Sequence, residues 1–374
     1  MTAPELTRHE DTFDEWLTGF RRWAGRGGTG PDARRAAPVA ELLALAVPES
    51  AGGAGAGYRA AAVALAALAD DTGDAGLPFS LAAQMWACQE PLIAFGAPSQ
   101  QDAYLAPLLA GRTVGAFAAT EYDAGSDLLS MRTDAQRRPD GSWVLTGSKT
   151  FVTNGPVAGI FVVLARTGAG SALGGLTAFL VPRGTPGLTI GPDLPTTALA
   201  GARLCTLVMD DCVVPPDACL GPPGAGFAVI MHAMRYERAL ILAPVIGLMT
   251  RALRRAIEHA RSRHQFGRSL SSFDGIRQHL ARMQLSLTTA RELLLATAAA
   301  ADAGTLDHGR SALTKLHVST EFNAFCQHLP DVYGGYALLP ESGVTALIAD
   351  AVASRYYSGT TDMQMKIVAE GLDL

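Results

Sequence analysis

The sequence predicts a three-part α/β chain, with an N-terminal helical part, a middle β-part and a C-terminal helical part. Two changes of texture carry that expectation. Helix-period apolar spacing gives way to short β-branched runs near Thr113, and it returns after Pro222. Composition adds that each part buries a core. Over 374 residues, 48% are hydrophobic and 17% charged, with mean hydropathy +0.18, the reverse of a disordered chain. The expected domains are 1–112 (helical), 113–222 (a β-barrel or sandwich) and 223–374 (a four-helix bundle).

In the first part, Phe13, Trp16, Leu17 and Phe20 fall on one helical face. Gly25–Gly30 breaks the chain, and Pro48-Glu49-Ser50-Ala51-Gly52-Gly53 punctuates it as a loop. Ala60–Ala69 and Phe79–Phe95 read as buried helical segments. In the second part, strands are expected at Trp143–Leu145, Ile160–Leu164, Thr177–Val181 and Cys205–Met209, separated by Gly, Pro and Asp clusters. In the third, Phe227–His264 reads as one long helix or two, with Pro244 as a kink. Phe273–Ala301, Leu313–Phe325 and a final helix after Gly343 follow.

Several classes are excluded at this level. A membrane-spanning helix needs about 20 apolar residues, and the best stretches, Ala239–Met249 and Ile160–Ala165, are cut short by charge, Pro or Gly. The net charge of −5 argues against a nucleic-acid surface. Cysteines at 88, 205, 212, 219 and 326 are odd in number and form no CxxC pair, so neither a disulfide framework nor a metal site is expected. The first ten residues carry acids and no apolar core, so a signal peptide is not expected and a cytoplasmic location is.

Four constellations can carry chemistry. Thr120-Glu121-Tyr122-Asp123-Ala124-Gly125-Ser126-Asp127 is a small-residue loop whose amides and hydroxyls suit a phosphate; it also reads as a plain turn leading into the β-part. Gly147–Gly155 places Phe151 and Thr153 two apart on an extended segment, hence on one face. There a ring can stack on a flat cofactor and a hydroxyl bond its edge, or Phe151 can be a core residue of a hairpin. Arg263-His264-Gln265-Phe266-Gly267-Arg268 closes a long helix, either as phosphate-binding arginines or as a cationic C-terminal cap. The last group is Tyr333-Gly334-Gly335-Tyr336 followed by Ser354–Asp362, where Ser358-Gly359-Thr360 can cap a helix and bind an anion, or only cap it.

Taken together and in this order, these motifs resemble the acyl-CoA dehydrogenase flavoproteins from about Pro48 to the C-terminus. The markers are Pro48-Glu49 with Gly52-Gly53, Thr120-Glu121 with Gly125-Ser126-Asp127, and Lys149 with Thr153-Asn154-Gly155. Val214-Pro215, Gly224 with Gly226-Phe227, Arg263 with Phe266-Gly267, Gly334-Gly335 and Gly359-Thr360 complete the set. The resemblance implies FAD and assigns roles by position. Thr120 and Ser126 would meet the flavin edge and pyrophosphate. Phe151 stands where the family usually has tryptophan beside the isoalloxazine, and Thr153 would bond near N5. Arg263 and Phe266 would reach the FAD of a neighbouring subunit, implying a homo-oligomer, a dimer of dimers. Asp331, at a common glutamine position, Gly335, Thr360 and Asp362 would complete the cofactor set.

The family reaction takes a proton from the α-carbon of a thioester while hydride leaves the β-carbon for the flavin. Most members place the glutamate base directly before the Gly-Thr pair, where this chain has Ser358. The isovaleryl-CoA dehydrogenase branch instead has it on the long helix, directly before an arginine. This chain reads Tyr236-Glu237-Arg238-Ala239-Leu240 there, so the resemblance makes Glu237 the base. A helical Glu237 paired with an arginine is the structural alternative. Ser358, Arg238 and Tyr357 would line the substrate pocket.

The same two features occur in the branch that oxidises prolyl groups on peptidyl carrier proteins, which this chain also resembles at Gly76–Leu81 and Ser354–Gln364. The expected substrate is therefore an acyl or aminoacyl, prolyl-like, thioester on a carrier protein in secondary metabolism. Electrons would pass to an electron-transfer flavoprotein or dioxygen, with no nucleic acid or membrane involved. The alternatives are a short branched-chain acyl-CoA dehydrogenase and a redox-neutral or binding use of the same fold. Arg251, Arg254 and Arg255 form a basic stripe that reads either as a carrier-protein dock or as a solvated helix face.

Overall fold

The computed structural model describes residues 39–168 and 175–372. The predicted amphipathic face from Phe13 to Phe20 and the Gly25–Gly30 break lie outside the described residues. The chain forms two compact units. The first holds the described part of Met1–Ala61 with Ser80–Pro195 and Ala202–Glu237; the second holds Ala62–Phe79, Thr196–Gly201 and Arg238–Leu374.

The β-part of the first unit is a single eight-stranded sheet. Its strands are β1 (Gly115–Ala118), β2 (Asp134–Arg137), β3 (Trp143–Thr153), β4 (Ile160–Arg166), β5 (Leu176–Pro182), β6 (Leu188–Asp193), β7 (Leu204–Val214) and β8 (Cys219–Leu220). The order is β6-β7-β3-β2-β4-β5-β8, with β1 parallel to β4. The runs expected from sequence fall within β3, β4, β5 and β7. The strands left unread, β1, β2, β6 and β8, are short or carry polar residues and lack a β-branched run.

Strand alternation shows where the cores lie. Ile160, Val162 and Leu164 of β4, with Leu176, Ala178 and Leu180 of β5, face one cluster that contains Cys88, Leu92, Leu105, Leu108, Val229 and Ile230 from helical segments. Phe161, Val163 and Ala165, with Phe179 and Val181, face a second cluster built from Trp143, Leu145, Leu207, Met209 and Val214 of the sheet itself. Both faces of β4 and β5 are therefore buried, which explains the apolar runs Ile160–Ala165 and Ala178–Val181.

Phe79–Phe95 was expected as one helical run. The structure extends it back to Gly76 and inserts a π-helical turn, Gln84–Gln89, between Gly76–Ala83 and Glu90–Phe95. Pro91 accounts for the disturbance: it has no N–H to give, and its ring crowds the Ala87 carbonyl. Glu90 N–H reaches back to Met85 O instead.

The second unit is helical. Pro244 does not kink one long helix. The break falls at Ile241-Leu242, between Gly226–Leu240 and Ala243–Ser262, and Pro244 sits in the first turn of the second helix, where a missing N–H costs nothing. Asp274–Asp302, His308–Tyr333, Val344–Ala353 and Thr361–Glu370 follow. Three long helices repeat one buried spacing of four, three and four residues. These are Met249, Leu253, Ala256, Ala260; Met283, Leu287, Ala290, Leu294; and Val318, Phe322, Phe325, Leu329, the seam of a helix bundle.

No helix among the described residues is long and apolar enough to cross a membrane. At Gly247 the helix backbone approaches Ala66 so closely that a Cβ would lie 1.9 Å from its carbonyl oxygen. Gly247→Ala is therefore expected to destabilise the protein by about 1–3 kcal/mol, read as a lowered denaturant midpoint. An unchanged midpoint would show that the contact is soft.

Candidate active site

In the first unit, β3 positions the predicted aromatic and hydroxyl. Its pairing with β7 slips between Lys149 and Val152, and Phe151 lies in that bulge at φ +52°. A bulge re-aims a side chain, and the Phe151 ring stands 62% exposed instead of joining the core. The hairpin-core reading of Phe151 is thus excluded. Thr153 is half-buried two residues on. Asn154, at φ +66°, turns inward and donates to Ser80 O at 2.9 Å and Gly115 O at 3.3 Å. Those bonds anchor the end of the strand.

The Thr120–Asp127 loop is held against this strand. Thr150 N–H donates to Thr120 O at 2.8 Å. Lys149, wholly buried, donates to Glu121 Oε1 at 2.8 Å and to Ala119 O at 3.2 Å. Glu121 also accepts from the Arg132 N–H and from the Thr133 N–H and hydroxyl. Burial alone would raise the Glu121 carboxyl, but the bonds from Arg132, Lys149 and Thr133 outweigh it and hold it at about 2. Burial pulls the Lys149 ammonium down, opposed by Glu121. Thr120 is half-buried and Ser126 exposed, so the loop keeps hydroxyls free of the core.

Glu237 lies on the Gly226–Leu240 helix. It is seven residues from Ile230 and four from Ala233, both buried, so it shares their apolar face. The nearby Cys88 thiol is pushed up, first by burial and then by the Glu237 charge. Beside it on the same helix, Tyr236 stacks on Tyr58 with centroids 4.8 Å apart. Tyr58 donates to Glu90 Oε1 at 2.9 Å, and His232 Nε2 lies 3.6 Å from Glu90 Oε2. Sequence reasoning missed this polar cluster because its members are far apart in the chain and no motif joins them.

In the second unit, the Ser358-Gly359-Thr360 turn is a strained cap. Ser358 has φ +54° and Gly359 φ +93°. The Thr360 hydroxyl accepts from Met363 N–H at 3.3 Å, making it the N-cap of Thr361–Glu370. Wholly buried Gln364 donates to Ser358 O and Gly359 O at 3.3 and 3.0 Å. A side chain at Gly359 would be strained by its φ of +93° and would displace Gln364 Nε2, which lies 2.6 Å from the Cβ position.

The ring of Tyr357 packs on Phe79 at 4.8 Å, uniting the Gly76–Leu81 and Ser354–Ser358 motifs. Behind it lies Lys315, wholly buried, with Nζ 5.6 Å from the Tyr357 centroid and donating to Ser354 O at 3.0 Å. No sequence signal marked that lysine. Asp362 is exposed in the first turn of its helix.

Arg263 stacks over Tyr336 at 5.2 Å, which brings it to the Gly334–Leu338 turn that contains exposed Gly335. Phe266 stands 93% exposed at φ +51°. Asp331 is exposed and lies 3.6 Å from His279. The basic stripe is engaged within its own unit. Arg254 pairs with Asp70 at 2.7 Å, Arg251 donates to Asp70 O at 2.7 Å, and Arg255 donates to Glu341 O at 3.2 Å.

Glu121→Gln leaves Lys149 as an uncompensated buried charge, so it is expected to cost about 3–5 kcal/mol at neutral pH, read by thermal or denaturant unfolding. The folded Glu121 carboxyl lies at about 2 against 4.5, so the unfolded state binds more protons between those values. Stability from this group is present above pH 4.5 and drains as pH falls toward 2. An unfolding profile as steep in Glu121→Gln as in the parent would contradict this.

The comparisons with known proteins bear on the whole chain. The acyl-CoA dehydrogenase N-terminal, middle and C-terminal domain families match residues 13–112, 116–212 and 224–372. An L-prolyl-[peptidyl-carrier protein] dehydrogenase of Pseudomonas fluorescens is 34% identical over 374 residues, covering 100% of this chain and 95% of the relative. The mitochondrial isovaleryl-CoA dehydrogenase of Oryza sativa subsp. japonica is 32% identical over 331 residues, 88% of this chain and 80% of that protein. A solved structure described as PigA with FAD and proline superposes with TM-score 0.87 at 29% identity, covering 100% of this chain and 99% of the other. Matches that run through all three parts, with a relative aligned from end to end, establish that this chain belongs to the acyl-CoA dehydrogenase family.

Proposed function

We propose that this chain is an FAD-dependent dehydrogenase of a prolyl-like aminoacyl thioester carried on a peptidyl carrier protein, acting in secondary metabolism. The observation that carries the reading is the placement of carboxylate. Glu237 lies on the apolar face of its helix with Ile230 and Ala233, while Ser358 occupies the position before Gly359-Thr360. The end-to-end similarity to a prolyl-carrier-protein dehydrogenase and the likeness to PigA with FAD and proline support the substrate class.

The residues present fit a flat dinucleotide. Phe151 stands out of β3 as an exposed ring with Thr153 beside it. Thr360, although it accepts from Met363 N–H, keeps its own hydroxyl proton to give. In this reading Thr120, Ser126, Phe151, Thr153, Gly335, Thr360 and Asp362 hold the cofactor. Arg263, Phe266 and Asp331 reach that of a second copy in a dimer of dimers. The near-complete exposure of Phe266 supports a partner surface there. FAD, when bound, supplies the acceptor for the hydride that leaves the substrate β-carbon.

Glu237 takes the α-proton. It is half-buried beside Ile230 and Ala233, and the helix fixes its reach. Ser358 leaves space that a glutamate would fill, enough for a pyrrolidine ring or its amine. Arg238 and Tyr357 border the same turn: Arg238 lies near Gly359, and Tyr357 is held by Phe79. Reoxidation by an electron-transfer flavoprotein or dioxygen and a cytoplasmic setting complete the proposal. The 32% identity to an isovaleryl-CoA dehydrogenase supports a second reading, a short branched-chain acyl-CoA dehydrogenase with the same base.

The test is to incubate the FAD-loaded protein with prolyl-loaded carrier protein and, separately, with short acyl-CoA esters. Loss of hydrogens from the intact prolyl-carrier mass supports the first reading. Turnover of acyl-CoA alone supports the second, and no flavin bleaching by any thioester defeats both. Glu237→Gln is expected to lower the rate by about 10²–10⁴-fold with FAD retained; full activity would remove Glu237 as the base. Phe151→Ala is expected to shift the bound-flavin absorption, and an unaltered spectrum would argue against stacking.

A further inference from the structure

We propose that His279, His328 and Asp331 form a transition-metal site, best suited to Zn²⁺, that clamps the two longest helices of the second unit. His279 projects from Asp274–Asp302, and His328 and Asp331 project from His308–Tyr333. The latter two are three residues apart and so share one helical face. Each of the three residues offers one ligand atom, and these atoms lie within 4.8 Å of one another. His279 Nδ1 and His328 Nδ1 are 3.2 Å apart, and His279 Nδ1 is 3.6 Å from Asp331 Oδ2.

Those separations have a specific meaning. Zinc binds imidazole nitrogen and carboxylate oxygen at about 2.0–2.2 Å with tetrahedral geometry, which puts two donors on one ion about 3.3–3.5 Å apart. The two pairs that include His279 bracket that spacing, and His328 and Asp331, within 4.8 Å of each other, would close onto the ion by side-chain rotation. Two imidazole nitrogens directed at one another can share only one proton, whereas a cation satisfies both. Two histidines and one carboxylate are a donor set that zinc accepts, with the fourth position left for water. Both histidines are half-buried and Asp331 is exposed, so the ion would enter from solvent beside the carboxylate.

The site overlaps the dehydrogenase reading at one residue. Its one shared residue, Asp331, has been assigned above to the cofactor of a second copy, and the two roles separate experimentally. The FAD-loaded protein is treated with chelator, dialysed and titrated with Zn²⁺ by calorimetry, and with Co²⁺ by visible absorption. The expected result is one ion per chain, the intense visible bands of tetrahedral cobalt, and a raised thermal midpoint.

His328→Ala is expected to weaken binding at least about 100-fold, beyond the 10–100-fold typical of losing an outer hydrogen-bond partner of a ligand. His279→Gln is the second variant should His328→Ala fold poorly. Asp331→Asn tests the carboxylate, with FAD content read in the same sample. Substoichiometric binding, or affinity unchanged in both histidine variants, overturns the proposal. FAD loss in Asp331→Asn with zinc affinity unchanged would assign that residue to the cofactor and remove it from the metal site.

Discussion

The buried ion pair between Lys149 and Glu121 is the constraint on which the first unit's functional end depends. A lysine with no exposure at all is stable as a cation only beside a carboxylate that is itself fully bonded. Glu121 meets that condition by accepting from Lys149, Thr133 and the Arg132 amide. The pair thereby fastens the Thr120–Asp127 loop to β3 just before the strand bulges. The neighbouring Thr150–Thr120 backbone bond and the outward turn of Phe151 follow within a few residues. Loop hydroxyls and exposed ring share one brace.

The helices of the second unit rely on a different logic. Repeated four-three-four apolar spacing packs three long helices together, and polar pairs such as Thr297–Thr314 and His279–His328 join two of them. A cluster of buried polar groups holds the turn at the chain's end. Gln364, Lys315 and the Thr360 cap between them bond backbone groups of Ser354, Ser358, Gly359 and Met363. Two residues in left-handed backbone, Ser358 and Gly359, are stable there because those bonds over-determine the turn.

The three-part order was legible in sequence because the apolar period itself changes from helical to extended and back. The most legible strands were those buried on both faces, such as β4, whose side chains from Ile160 to Ala165 alternate between two cores and are apolar. Gly115–Ala118 and Asp134–Arg137 were not legible, since they owe their strand state to neighbours and not to β-branched side chains. Of the site, Phe151 with Thr153 and Ser358 with Thr360 were readable as local motifs. Tyr58, Glu90 and His232 meet only through folding, as do Lys315 and the Ser354–Tyr357 turn, so no local pattern could reveal them.

Glu237 lies in the last turn of the Gly226–Leu240 helix, followed by three more helical residues before the Ile241-Leu242 break. A proton acceptor on a turn shares the turn's excursions, and each excursion changes its distance to the carbon it must approach. One carried by a packed helix moves only as that helix moves. On the proposed assignment of Glu237 as base, the carboxylate and the Ser358 turn answer separate demands. The turn at Ser358, held by Gln364 and Lys315, then contributes shape alone, while the reach of the proposed base is set by a separate element.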